Sequence, residues 1–304
     1  MASTVTTGAI FAALKPTLDA IIVDKTDGVE AAALFTKYFK VSSQEDNFED
    51  DVEFAGGGYA SERDEGSEIV LSSITQGSTT RYIARNFGQK MRITEEAQDD
   101  NKYDQALDVA PKLKRQMWKT ADQDAANMLV RGWDTTYTIG DGLALFSASH
   151  TLPGGGTFSN LMSTPMTPSK ASVVIARTQV MKYPGHDGLP EGADLKSVVC
   201  PVDQWGTWVG LVKSEKDPSA GAFNEINVVN SEMDLKIVPN KFWRNTTTNY
   251  AYTTDVMNGL RFKFKKRPKG RTWVDNNTLS ILHACTARWA RNCSDARGVY
   301  GVQS

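Results

Sequence analysis

Between Asp99 and Asp134, apolar residues recur at Tyr103, Leu107, Ala110, Leu113, Met117, Ala121, Ala125 and Met128. Steps of three and four lay them along one side of an α-helix. Lys112, Lys114, Lys119, Asp122 and Asp124 fall between them and wet the other faces. Pro111 cannot donate a backbone hydrogen bond, so the helix kinks there or begins there. Gly132 supplies the stop. From Pro111 to Arg131 this predicts a rod of roughly 30 Å, at about 1.5 Å per residue, and it is the longest helical pattern in the chain.

Upstream the pattern changes. Two short helical stretches, Lys15 to Val23 and Val29 to Phe39, flank Lys25-Thr26-Asp27-Gly28. The second presents Leu34, Phe35, Tyr38 and Phe39 on one face. So short a helix is marginal alone, so these residues are expected to dock on another element or subunit. Residues 46–93 read as a long extended excursion. Two alternating runs, Glu68 to Thr75 and Thr79 to Phe87, are split by Gln76-Gly77-Ser78 and predict a β-hairpin. Little in this segment can build a core, and a hairpin without one needs a partner surface. Thr94 can cap a short helix leading into the rod.

Downstream, sheet and loop alternate. Thr167-Pro168-Ser169 starts a helix that should run to about Tyr183, before Pro184-Gly185. Leu195 to Cys200, Met233 to Val238 and Tyr250 to Thr254 read as strands. Pro201 opens a helix carrying Trp205, Trp208, Val209 and Val212. In Arg261-Phe262-Lys263-Phe264-Lys265 the period is two, with cations on one side and phenylalanines on the other. Thr278 to Arg291 predicts a long strand with Leu279, Ile281, His283, Cys285, Ala287 and Trp289 on one side.

With 304 residues the chain can bury a sizeable core in one or two domains. A net charge of −2 and a pI near 6.0 do not mark a general nucleic-acid binder. No run of about 18 apolar residues exists, so no membrane-spanning helix is expected. The first residues lack a basic segment of the secretory type. Cys200, Cys285 and Cys293 are odd in number, which points to reduced thiols in a cytosolic setting.

Charge is divided unevenly. From Glu45 to Glu68 there are ten acids against Arg63 alone, a net of −9. From Arg261 to Arg297 there are ten bases against two acids, a net of +8. Two solvated faces would account for this. So would complementary surfaces that meet within or between subunits, and the lack of a core in the acidic segment favours contact between subunits. Nucleic acid against the basic strand ranks lower, since aromatics for stacking are not spread along it.

Catalytic signals are weak. His150, His186 and His283 are far apart, without companions at metal-ligand spacing. Ser147-Ala148-Ser149-His150 lacks the nucleophile-elbow context. Neither Gly56-Gly57-Gly58 nor Gly154-Gly155-Gly156 has phosphate-loop spacing. No enzyme, cofactor or metal is expected.

Four segments carry a resemblance. Met91-Arg92-Ile93-Thr94-Glu95-Glu96 precedes the long helix. Asp141-Gly142-Leu143-Ala144-Leu145-Phe146-Ser147-Ala148-Ser149-His150 is followed by Gly154-Gly155-Gly156 and Ser159-Asn160-Leu161. Leu195 to Pro201 is an apolar strand before a helix. Arg288 leads to the closing Asp295-Ala296-Arg297-Gly298-Val299-Tyr300-Gly301. Together they resemble tailed-phage major capsid proteins of the HK97-like fold and, within that group, the Mu-like major head subunit family.

That resemblance implies an α+β chain with an N-terminal arm (1–45), an extended-loop hairpin with flanking strands (46–93), a peripheral domain with a spine helix (94–139), an axial domain (140–255) and return strands (256–304). It implies hexamers and pentamers tiling an icosahedral shell around double-stranded DNA. Portal, and optionally scaffolding or cement proteins, would be partners, with assembly in the bacterial cytoplasm. No cleaved leader is expected. On this reading Glu49, Asp50, Asp51, Glu53, Glu62, Asp64, Glu65 and Glu68 form an inter-subunit acidic patch. Arg261, Lys263, Lys265, Lys266 and Arg267 form its basic counterpart, and Phe35, Tyr38 and Phe39 dock the arm. A tail-tube or ring protein, or less readily a soluble hydrolase, is the rival.

Overall fold

The structure is a computed structural model that describes residues 32–69, 71–94, 96, 103–216, 226–243, 249–256, 259–278 and 280–303. The first predicted helix and Leu279 lie outside the described residues. In chain order the elements are β1 (Lys40–Ser43), β2 (Phe48–Ala55), β3 (Thr75–Ile83), β4 (Arg85–Ile93), α1 (Tyr103–Val130), β5 (His150–Thr151), β6 (Thr157–Phe158), α2 (Lys170–Val180), β7 (Leu195–Pro201), α3 (Trp205–Lys213), α4 (Val228–Glu232), β8 (Lys236–Asn240), β9 (Tyr250–Thr254), β10 (Leu260–Asp275), β11 (Ser280–Cys293) and β12 (Val299–Val302). They build two four-stranded sheets, β1-β10-β11-β4 and β12-β9-β7-β8, with β2-β3 as a separate ribbon.

Periodicity predicts the first lobe well. Leu113, Met117, Ala121, Ala125 and Met128 of α1 are buried against the first sheet. Pro111 lies inside the helix rather than at its start. Gly132 ends it, and the Gly132 N–H donates to Leu129 O at 3.0 Å. A methyl group there would stand 2.6 Å from the Phe146 ring, so this glycine also opens a seat for Phe146. On β10 and β11, Phe262, Phe264, Ile281, His283, Cys285, Ala287 and Trp289 are buried, as a period of two requires. Rings from five elements interlock there: Phe35 and Phe262 centroids are 4.4 Å apart, Trp118 and Phe264 are 5.6 Å apart, and Phe87 stacks on Trp289 at 3.9 Å. Truncating one such ring to alanine typically costs about 3–5 kcal/mol.

The second lobe packs α2, α3 and α4 on the other sheet around Val173, Val180, Val198, Trp208, Tyr250, Tyr252 and Tyr300. Helix α2 starts with a capping box between Ser169 and Ser172. A 3₁₀ turn, Val202–Gln204, separates β7 from α3, so Pro201 closes a strand rather than opening a helix. The chain returns to this sheet at its end, because β12 pairs with β9. The 256–304 segment is therefore shared between the lobes and does not belong to the first alone.

Two local expectations are corrected. The described part of 29–39 is not an α-helix: Leu34–Lys37 is a 3₁₀ turn and Lys40–Ser43 a strand parallel to β10. The turn expected at Gln76-Gly77-Ser78 is absent, and Thr75–Ile83 is one strand paired with Phe48–Ala55. The connecting loop is instead residues 56–74. Gly77 serves close packing: a methyl group there would stand 2.3 Å from Pro153 Cγ.

Candidate functional site

The β2-β3 ribbon lies over the face of the first sheet opposite α1, and its root is held by its own chain. Lys263 is buried, pointing away from the phenylalanines that flank it in sequence. Its Nζ donates to Glu49 Oε2 and Asp51 Oδ1, each at 3.1 Å, and sits 4.1 Å from the centre of the Tyr82 ring. Arg261 Nη1 donates to Asp51 Oδ2 at 3.0 Å, and Ser294 Oγ donates to the same oxygen at 2.8 Å. Asp50 takes a fork from Arg81 across the ribbon, both bonds 2.7 Å.

The expected meeting of acidic and basic patches thus occurs, for these residues, inside one protomer. Glu49, Asp51, Arg261 and Lys263 are corrected from an inter-subunit to an internal role. The reason is geometric: β10 presents its cations on the side where β2 lies, and the ribbon neutralises them. Of the other expected bases, Lys265 Nζ donates to Glu45 O at 2.9 Å and Lys266 Nζ to Thr286 Oγ1 at 3.0 Å. The Arg267 guanidinium lies 5.5 Å from the centre of the Phe264 ring. Lys266, Arg267, Lys269 and Arg271 are exposed, and Lys266, Lys269 and Arg271 line a groove of about 660 Å³ with Trp273.

The distal loop is different. Every described residue from Gly56 to Gln76 is exposed, among them Glu62, Asp64, Glu65 and Glu68. Tyr59 is 76% exposed, Ile69 74%, Leu71 94% and Ile74 74%. Four large apolar side chains in one unsupported loop form an unpartnered patch, which in soluble proteins marks an interaction surface.

The arm residues Phe35, Tyr38 and Phe39 dock on their own chain. Asp122 Oδ1 on α1 accepts the Phe35 N–H at 3.0 Å, and Asn240 Nδ2 donates to Tyr38 OH at 3.3 Å. Burial raises the Asp122 carboxyl despite the hydrogen bonds it accepts from the Phe35 and Leu34 backbone.

The Asp141 to Leu161 segment proves to be a clamp. His150 is buried between Asp141 Oδ2, on its Nδ1 side, and Asn160 Oδ1, 3.2 Å from its Nε2. Asn160 is fully buried; its Nδ2 donates to Leu145 O at 2.7 Å and Ala296 O at 3.0 Å, and its Oδ1 accepts the Ser147 N–H at 2.9 Å. Ser147 Oγ accepts from the Ser149 N–H, so serine and histidine are turned to different partners. The Gly301 N–H donates to Asn160 O at 2.8 Å, and a methyl at Gly301 would stand 2.5 Å from the Phe146 ring. Buried Arg297 forms a fork with Asp295 and reaches Pro184 O and Glu191. The central and closing motifs therefore meet at one junction between the lobes. Asn160 belongs to the central motif, but its role as hub is set by a contact with Ala296, 136 residues away.

Burial pushes the Cys200 thiol up to about 12, which suits an inert packed cysteine. All three cysteines are free and buried. Among the described residues, no group of histidine, cysteine and acidic side chains is placed to hold a metal, and no helix is long and apolar enough to cross a membrane.

No family model matches the chain, and no curated protein matches it. Solved structures do. The capsid of Myoviridae phage XM1 is similar at 11% identity and a TM-score of 0.52, over 90% of this chain and 91% of that one. A structure from Microbacterium phage Oxtober96 has 10% identity and a TM-score of 0.54, covering 87% and 88%. The capsid of cyanophage P-SCSP1u has 11% identity and a TM-score of 0.52, covering 89% and 88%. These likenesses do not single out the Mu-like subunits. At such identities it is the architecture that is shared: this chain has the α+β, HK97-like fold of tailed-phage capsid subunits.

Proposed function

We propose that the chain is a major capsid protein that self-assembles into the icosahedral head shell of a tailed phage and encloses double-stranded DNA. One observation carries this beyond the fold. The loop of residues 56–74 projects from a well-packed body with Tyr59, Ile69, Leu71 and Ile74 exposed, so the isolated subunit leaves an apolar surface uncovered. A second copy of the chain is the partner that the fold supports. We assign the inter-subunit acidic patch to Glu62, Asp64, Glu65 and Glu68 at the loop tip. Its counterpart is the exposed row Lys266, Arg267, Lys269 and Arg271 of an adjacent copy. Exposed ion pairs of this kind give about 0.2–1 kcal/mol each and are screened by salt. They set register, and the apolar side chains supply most of the attraction.

The test replaces residues 57–73 with a tight two-residue turn, which keeps the pairing of Ala55 with Thr75. The trimmed chain should fold as a monomer or small oligomer and form no closed shells, while the full chain forms them. Normal shells from the trimmed chain would reject the assignment of the loop. A tail-tube or ring protein is the rival reading, and the shape of the particles separates the two. Portal, scaffolding and cement partners would follow from the shell role.

A further inference from the structure

At the root of the ribbon, four parts of the chain close on one small cavity of about 10 Å³, room for a single water. The ribbon contributes Glu53 and Ser78. The loop before β5 and β5 itself contribute Asp141 and His150. The turn after α2 contributes His186. The segment before β12 contributes Ser294, Asp295 and Arg297. Glu53 is the one ionisable side chain that the ribbon places in this cavity. Its Oε2 accepts a hydrogen bond from Ser78 Oγ at 2.9 Å, a neighbour within the ribbon rather than on the body.

The groups facing Glu53 are of mixed sign. Asp295 and Asp141 oppose its charge and Arg297 favours it. Arg297 is already held by Asp295 and Glu191, and His186 Nε2 lies 3.5 Å from Asp295. His150 is turned to Asp141 and Asn160. Among the described residues, no ion pair from the body reaches the Glu53 carboxylate, while the ribbon on either side of it is seated tightly. A methyl on Gly77 would meet Pro153, and one on Gly140 would stand 1.9 Å from Thr80 Oγ1. Thr80, a residue of β3 in the ribbon itself, is 1% exposed, covered by the body at Gly140.

We propose that Glu53 is a proton-controlled latch: protonated, it lets the ribbon root stay seated over this cavity, and ionised, it favours release of the root from the body into water. On release the carboxylic acid gives its proton to solvent, and the carboxylate regains hydration. Burial, partly offset by the Ser78 hydrogen bond, raises the seated group from 4.5 to about 7. A group raised in the seated state supports seating fully below its solvated value near 4.5. That support is lost as pH rises through about 7. Acid therefore tightens the root and mild alkali loosens it. The inference concerns a single chain and holds whether or not the chain builds a shell.

The test uses the full chain carrying Thr80→Cys, whose thiol is hidden while the root is seated, and follows its modification by a soluble thiol reagent from pH 5.5 to 8.5. Glu53→Gln in the same background mimics the protonated acid, and the ratio of the two rates at each pH cancels the intrinsic chemistry of the thiol. The ratio should already be about ten at pH 5.5, one unit above the solvated value, rise by about a further thirtyfold by pH 8.5, and level off above about pH 7. Ser78→Ala, which removes a bond favouring the carboxylate, should move that rise to higher pH. It decides the matter if the glutamine variant folds poorly. A ratio that stays flat across the range, or a rise unmoved by Ser78→Ala, would overturn the latch.

Discussion

Lys263 Nζ lies 3.1 Å from Asp51 Oδ1 across 212 residues of sequence, with 4% of the lysine side chain exposed. The contact ties the extended ribbon to the body of its own subunit. It also changes what a charge reversal should do. Lys263→Glu would place a third carboxylate against Glu49 and Asp51, and breaking a buried pair costs about 3–5 kcal/mol. The isolated subunit itself should lose thermal stability by that order. Lys265→Glu, at a position bonded only to a backbone carbonyl among the contacts described, should stay within about 0.5 kcal/mol. Thermal melts of the two variants side by side check this.

Asn160 should be among the costliest single positions. Asn160→Ala strands the Leu145 and Ala296 carbonyls and removes the acceptor for the Ser147 N–H and His150. Unsatisfied buried groups cost about 1–3 kcal/mol each. A loss of about 2–4 kcal/mol in denaturant unfolding is expected, with Asn160→Asp no better, because a carboxylate cannot donate to either carbonyl.

Asp141 sets part of the acid limit. Burial alone would raise its carboxyl, but the hydrogen bonds from His150 and the Leu143 N–H hold it below the usual 3.8. A carboxylate lowered by folding stabilises fully above that value and stops doing so as pH falls through its lower folded value. Stability measured from pH 5 to 2 should fall less steeply in Asp141→Asn than in the parent, even though the variant starts lower.

The apolar tip separates folding from assembly. Leu71→Asp and Ile69→Asp alter side chains that are 94% and 74% exposed, so subunit stability should move by less than about 0.5 kcal/mol. Particle yield should fall sharply. Sedimentation of parent and variants at equal concentration reads the difference.

Much of this was legible before the fold. The three-and-four spacing of Leu113, Met117, Ala121 and Ala125 dictates the long helix, and the alternation around Phe262 and Phe264 dictates the buried face of β10. Gly77 suggests a turn in sequence, because a glycine that admits Pro153 looks the same there as a glycine that makes a turn. The 29–39 stretch suggests an α-helix because the helical spacing of Leu34, Phe35, Tyr38 and Phe39 is satisfied equally by a short 3₁₀ turn against α1. The charge imbalance was plain, but counting charges cannot tell whether Glu49 and Asp51 face their own Lys263 or that of another copy. That choice is made by which side of β10 the ribbon covers. The junction of Asn160 with Ala296 and Gly301 depends on contacts far apart in sequence, and only the two motifs flanking it were visible.

The central claim is that residues 56–74 complete a shell by lying on a neighbouring copy. Electron cryomicroscopy of particles formed by the purified chain tests it most directly. The account predicts closed icosahedral shells in which Ile69 and Leu71 are buried against an adjacent subunit and Glu62 to Glu68 face its Lys266 to Arg271 strand. Tubes, a stable monomer, or shells in which that loop stands free in solvent would contradict it.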